Sequence, residues 1–171
     1  MMGANRGRIA AARSLMAVDQ GGHVEELLRQ HAPPKGPDRG LAWHLALGTL
    51  RWRGPIDLAL SPHLSRPIDK LDPGVRAVLR MGLFEAQKSR TPPRAAVHQA
   101  VEVVKAIGLK RASGLVNAVL RKTAGSTLSE EPSAALPSWL FERWREYPDW
   151  IRRLREPALI SICGGRPQGL D

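Results

Sequence analysis

Cysteine is almost missing from this chain: Cys163 is the only one in 171 residues. No internal disulfide can form, and no CxxC or His/Cys cluster exists to hold zinc, which excludes disulfide scaffolds and zinc modules. Long hydrophobic runs are missing too. No stretch of 18 apolar residues occurs, and the arginine-bearing residues 1–13 do not lead into an apolar segment with a small-residue cleavage site. Membrane spanning and secretion are therefore not expected, and a single thiol suits a reducing, cytoplasmic setting. Lysine is scarce as well, supplying six of the 26 basic side chains.

What the chain does have is 43% hydrophobic content. Over this length that is enough for one domain that removes roughly 70% of its unfolded surface from water, with a short appendage besides. It also has charge of mainly one sign. Twenty-six Lys and Arg stand against 16 Asp and Glu, a formal charge of +10, which favours a polyanionic partner. The excess is local: residues 1–125 hold 20 basic and nine acidic side chains, whereas residues 126–171 hold six and seven. The nucleic-acid signal thus belongs to residues 1–125.

Apolar residues recur at helical spacing through that part. Ile9, Ala12, Leu15 and Met16 begin one helix and Val24, Leu27 and Leu28 a second, with Gly21 and Gly22 between them. Residues 31–38 (HAPPKGPD) read as a loop whose Asp38 caps a third helix ending near Trp52, with Leu41, Leu45, Gly48 and Thr49 on its stripe. Gly54-Pro55 is expected to stop that helix, and a short one follows over residues 56–64. Asp72-Pro73 sets an N-cap carboxylate before a proline at the first helical position, opening a helix with Val75, Val78, Leu79, Gly82, Leu83 and Ala86 inward. Pro92-Pro93 opens the next, with Val97, Ala100, Val101, Val104 and Ile107 on its apolar face and Gly108 at its end. Residues 111–122 supply the last, burying Leu115, Val116, Val119 and Leu120. The expected fold is all-α.

The polar stretch GSTLSEEP then reads as a linker. Three parts are expected: residues 1–125, a linker over 126–135, and the beginning of a further unit over 136–171. In the last part, two short helices flank Tyr147-Pro148 and one strand covers residues 158–163. A lone strand has no partner, and the GGRPQGLD tail has too few apolar residues to pack, which points to a unit cut short.

Three blocks within residues 72–122, DPGVRAVLRMGLFEA, PPRAAVHQAVEVVK and GLVNAVLRK, resemble the signature helices of the NusB family of helical RNA-binding proteins. AARSLMAV (11–18) and DRGLAWHLALGTLRW (38–52) are similar to the version of that domain that begins bacterial ribosomal RNA cytosine-5 methyltransferases. LPSWLFERWRE (136–146) is similar to the segment that joins it to the methyltransferase part, so the likeness covers residues 8–160. The resemblance implies a NusB-like bundle of about six to seven helices with a short helical and strand appendage. His98-Gln99 departs from the family's usual Asn/Glu pair, and ISICGG from the usual start of the next domain. The family enzymes carry their two cysteines and their glycine-rich S-adenosylmethionine loop beyond the matched region. No residue here inherits a catalytic or cofactor role, and no metal is expected.

The candidate RNA contacts are basic. Arg6, Arg8 and Arg13 are spaced so that an N-terminal helix displays some of them on a solvated face, and Arg13 falls on the family's recurrent helix-one arginine, for which the resemblance implies phosphate contact. Ordinary surface arginines are the open alternative. Arg51-Trp52-Arg53 can grip phosphates and stack a base, or set cations at a helix end with the indole in the core. Arg76 and Arg80, four apart, share the side of their helix opposite the Val75, Val78 and Leu79 stripe, as solvated charges, while Arg121 and Lys122 add charge at another helix end. Asn117, among apolar neighbours, is expected to hold a structural hydrogen bond. His44 and His98 lack partners at metal-ligand spacing, and Cys163 lacks a base.

Three functions compete. The first is docking an rRNA cytosine-5 methyltransferase on small-subunit ribosomal RNA. The second is a transcription antitermination factor that binds leader RNA together with a ribosomal protein. The third is a remnant that associates only with proteins. In none of them does this chain perform chemistry itself.

Overall fold

The computed structural model describes residues 5–131, 138–144 and 146. The strand expected over 158–163, the helix after Tyr147-Pro148 and the tail lie outside the described residues. The helices are α1 Arg6–Val18, α2 Val24–His31, α3 Pro37–Arg51, α4 Arg53–Leu60, α5 Pro73–Lys88, α6 Pro93–Ala106, α7 Ser113–Thr123 and α8 Ser138–Trp144. Short 3-10 turns sit at Ser61–His63, Ile68–Lys70 and Lys110–Ala112, and there is no strand among the described residues.

Local chemistry sets most of these bounds. Asn5 caps α1 by accepting the Gly7 and Arg8 N–H groups at 2.9 and 3.3 Å, and Asp72 caps α5 by accepting those of Gly74 and Val75 at 2.8 and 3.3 Å. Two boundaries differ from expectation. Gly36, at φ 91°, turns the chain so that Pro37 takes the first position of α3. Asp38 therefore lies inside the first turn rather than at the cap, where it favours the positive helix end and accepts the Asn5 Nδ2 donor at 2.7 Å. Gly54-Pro55 does not end α3 either. The break falls at Trp52 (φ −100°, ψ 13°), and Pro55 occupies the first turn of α4, where an N–H has no intrahelical partner to lose.

α5 is the centre of the bundle. Residues 77 to 86 of it are all buried, and α1, α3, α4, α6 and α7 pack on it. Two glycines allow the closest approaches. A Cβ on Gly48 would overlap the Phe84 ring, and one on Gly82 would lie 2.7 Å from Leu120 Cδ1. α6 turns Ala96, Val97, Ala100, Val103 and Val104 inward, so Val103 takes the depth expected of Val101, which is half-buried. On α7 the i, i+3, i+4, i+7 set is Val116, Val119, Leu120 and Thr123. That phase leaves Leu115, expected in the core, 39% exposed.

The chain after α7 does not leave the bundle at once. Leu128 is buried and its N–H donates to Gln87 Oε1 at 2.9 Å. Gln87 Nε2 donates to the Thr123 carbonyl at 3.0 Å, and Lys88 pairs with Glu130 at 3.0 Å. The polar composition of this stretch hides one core leucine and the α5 side chains that fasten it.

Candidate nucleic-acid interface

The nine basic candidates fall into two groups. The first begins with charges that oppose the helix dipoles. α1 carries Arg8 in its first turn and Asp19 at its C-cap; α5 carries Arg76 in its first turn and Glu85 in its last turn. Each placement is unfavourable within its own helix. Antiparallel packing of α1 on α5 resolves all of them together. Arg8 forms a two-pronged pair with Glu85, its Nε donating to Oε2 at 3.0 Å and its Nη2 to Oε1. Thr91 Oγ1 adds a third donor to Glu85 at 2.8 Å. At the other end Asp19 accepts Arg76 Nε at 2.7 Å and Arg80 Nη1 at 3.4 Å, with Arg53 Nη1 at 3.5 Å. Arg80 also grips Asp57 of α4 with both prongs, at 2.7 and 2.8 Å.

Arg76 and Arg80 are therefore not solvated. Helical spacing puts them opposite the Val75, Val78 and Leu79 stripe, but α5 is central, so α1 and α4 cover that side as well. The Arg80 side chain keeps 7% of its exposure and Arg8 and Arg76 13% each, whereas Arg53 keeps 48%.

The second group faces outward. Arg6 and Arg13, two turns apart on α1, are exposed, as are Arg121 and Lys122 in the last turn of α7; Arg51 is half-buried. None of these five makes an ion pair or a side-chain hydrogen bond among the described residues. Trp52 packs against the core, and the Lys88 ammonium lies 3.9 Å over its ring, so the indole is used within the fold.

Three further cations escape a reading of the sequence because they come from separate segments. Where the start of α5 meets the Lys110–Ala112 turn and α7, a groove of about 1020 Å³ opens. Its floor is Leu71, Val75, Leu109 and Leu115, and its rim carries Arg66, Lys110 and Arg111. All three are exposed, and none is paired among the described residues. Asp72 is the one carboxylate on its lining, and its Oδ1 already accepts two backbone N–H groups. The Lys-Arg step after Gly108 was the available signal, since Gly108 (φ 91°) ends α6 and throws that step onto a turn.

A second groove, of about 840 Å³, lies between α6 and α7 at their opposite end. Pro93, Val97, Val101 and Ala124 give it apolar walls, and Arg94, His98, Asn117 and Arg121 line it with polar groups. The expected structural hydrogen bond of Asn117 is not made: its half-buried amide has no side-chain partner among the described residues. The neighbouring Glu102 is occupied by Lys105, whose ammonium donates to it at 2.8 Å and holds its carboxyl below the usual value.

A seven-helix domain with these blocks can be compared with known proteins. The model of the NusB family matches residues 5–125. The chain belongs to the NusB family. It is 38% identical to ribosomal RNA small subunit methyltransferase B of Thermus thermophilus over 96% of this chain and 42% of that protein. It is 35% identical to the protein of that name from Xanthomonas campestris, over 84% of this chain and 33% of that one. The chain thus spans between a third and about two fifths of the length of these relatives. Among solved structures, antitermination factors NusB and NusE in complex with dsRNA include a chain that is 27% identical, with a TM-score of 0.61 over 70% of this chain and 94% of that one. NusB of T. maritima, 20% identical with a TM-score of 0.64 over 74% of this chain and 93% of that one, shares the all-helical fold.

Proposed function

We propose that this NusB-family domain docks on RNA by neutralising phosphates, and that the RNA is that of the small ribosomal subunit. In this reading the domain positions an rRNA cytosine-5 methyltransferase whose chemistry belongs to residues other than these, in the cytoplasm. Residues 1–125 form the docking unit, 126–135 are a linker, and 136–171 belong to the methyltransferase-linked segment. The observation that carries the reading is the sorting of the cations. The fold spends Arg8, Arg53, Arg76 and Arg80 on its own carboxylates, and leaves Arg6, Arg13, Arg51, Arg121 and Lys122, with Arg66, Lys110 and Arg111, facing outward. Outward cations without acidic partners are what a phosphate backbone needs. The ribosomal assignment is supported by likeness to the methyltransferase B proteins over most of this chain.

The solved NusB likeness that includes NusE on dsRNA favours a second reading. In it the domain binds leader RNA beside a ribosomal protein and serves antitermination. Capture of a ribosomal protein together with equal binding of ribosomal and unrelated RNA would favour it.

The direct test is salt dependence. Affinity for a small-subunit rRNA fragment falls steeply with rising salt, and Lys110→Ala with Arg111→Ala reduces the slope of log K against log salt by about 1.4–1.8. An affinity that stays flat across the salt series overturns phosphate docking.

A further inference from the structure

The groove between α6 and α7 differs in kind from the one at the Lys110–Ala112 turn. The latter presents cations over a hydrocarbon floor. The former adds an amide with nothing to bond: Asn117 lies half-buried between apolar walls, with no side-chain partner among the described residues. The amide opens on the groove with its donor and its acceptor both free of protein partners, so a ligand that supplies an acceptor and a donor can pair with both. Arg121 follows Asn117 by one turn on α7, and Arg94 and His98 stand one turn apart on α6, so the amide is bracketed by planar, cationic or aromatic groups. Arg94 and Arg121 make no ion pair among the described residues, and Glu102 is held by Lys105.

We propose that this groove holds one unpaired nucleotide of the bound RNA. Asn117 reads the edge of its base, the His98 and Arg121 planes cover its faces, and Arg94 takes an adjoining phosphate. The inference rests on the RNA-docking reading and adds base contact to it. An acidic peptide is the competing occupant, and Asn117 argues against it. A carboxylate side chain offers acceptors only, whereas an adenine edge sets a donor beside an acceptor, matching both halves of the amide. The flat guanidinium and imidazole faces can besides stack on a base, a contact that a carboxylate does not offer.

The test uses the whole chain and two labelled RNAs: a stem with a short single-stranded adenosine tail, and the same stem with a blunt end. Asn117→Ala is expected to weaken the tailed stem about tenfold, the scale of one lost two-bond base contact, and to leave the blunt stem unchanged. Where that variant does not fold, the exposed His98→Ala replaces it, with the same preferential loss on the tailed stem. Equal loss on both RNAs, or no loss on either, overturns the nucleotide site while leaving RNA docking intact. Displacement of the tailed stem by poly-glutamate at matched charge assigns the groove to acidic peptide and also overturns it. Failure of the unmodified chain to bind either RNA at low salt removes the docking reading itself, and this site with it.

Discussion

The seam between α1 and α5 and the outer face formed by α6 and α7 are both arginine-bearing, yet they use arginine in opposite ways. In the seam, Arg8, Arg76 and Arg80 meet Glu85, Asp19 and Asp57 and are largely withdrawn from water. On the outer face, Arg94, Arg111 and Arg121 have no carboxylate partner among the described residues and stay exposed. The difference lies across the fold, not along the chain. A guanidinium becomes a structural element when packing brings a carboxylate to its fork, and stays available to a ligand when it does not. The seam also fixes register: sliding α1 along α5 would break the pairs at both ends at once, leaving buried charge unpaired.

The largest expected effect breaks the seam. Arg80→Ala removes both prongs from Asp57 and one of three cations from Asp19. Losing one partner of a buried pair costs about 3–5 kcal/mol. The measurement is a lowered urea midpoint at unchanged slope, with RNA affinity of the remaining folded protein preserved. A cost below about 1 kcal/mol, the level of a surface pair, would show that the seam does not differ from the outer face.

A smaller effect comes from Asp72, which belongs to both regions. It caps α5, the central helix, and it is the one carboxylate lining the groove rimmed by Arg66, Lys110 and Arg111. Asp72→Ala should lower stability by about 1 kcal/mol through loss of the cap. It should raise RNA affinity at low salt, because the groove then carries three cations and no opposing charge. Opposite signs from one substitution separate the two uses of charge; affinity falling in step with stability would merge them.

Much of this arrangement is legible in the sequence, and the parts that are not share a cause. The Asp72-Pro73 start, the Pro92-Pro93 start and the Gly108 end follow from rules local to a few residues, and the structure places them there. The helix count and the family follow from repeated apolar spacing and three sequence blocks. What local rules cannot supply is which helix lies in the middle. Because α5 is covered on all sides, Arg76 and Arg80 sit on a polar side by periodicity and in a buried seam by topology. The same gap hid the groove of Arg66, Lys110 and Arg111, residues that only packing brings together. It also misjudged Leu115 and Asn117, two residues apart on α7. The phase of that helix after a 3-10 turn left the leucine at the edge and the amide facing a groove.

The smallest effect on stability, and the sharpest contrast, lies within α1 itself. Arg8 and Arg13 are five residues apart on one helix, so their intrinsic propensities and their distance from the chain start are nearly matched. Arg8 is paired with Glu85, whereas Arg13 is exposed without a partner among the described residues. Arg13→Ala should leave the unfolding midpoint within the spread of ordinary surface substitutions, about 0.5 kcal/mol. Its cost should appear in the salt slope of RNA binding, lowered by about 0.7–0.9 for one lost phosphate contact. Arg8→Ala should do the reverse, with the slope held and the midpoint lowered, because it strands a buried Glu85. If both variants change the slope equally, Arg8 reaches RNA despite its pairing, and the division of arginines by carboxylate partner fails at the helix where it is easiest to isolate.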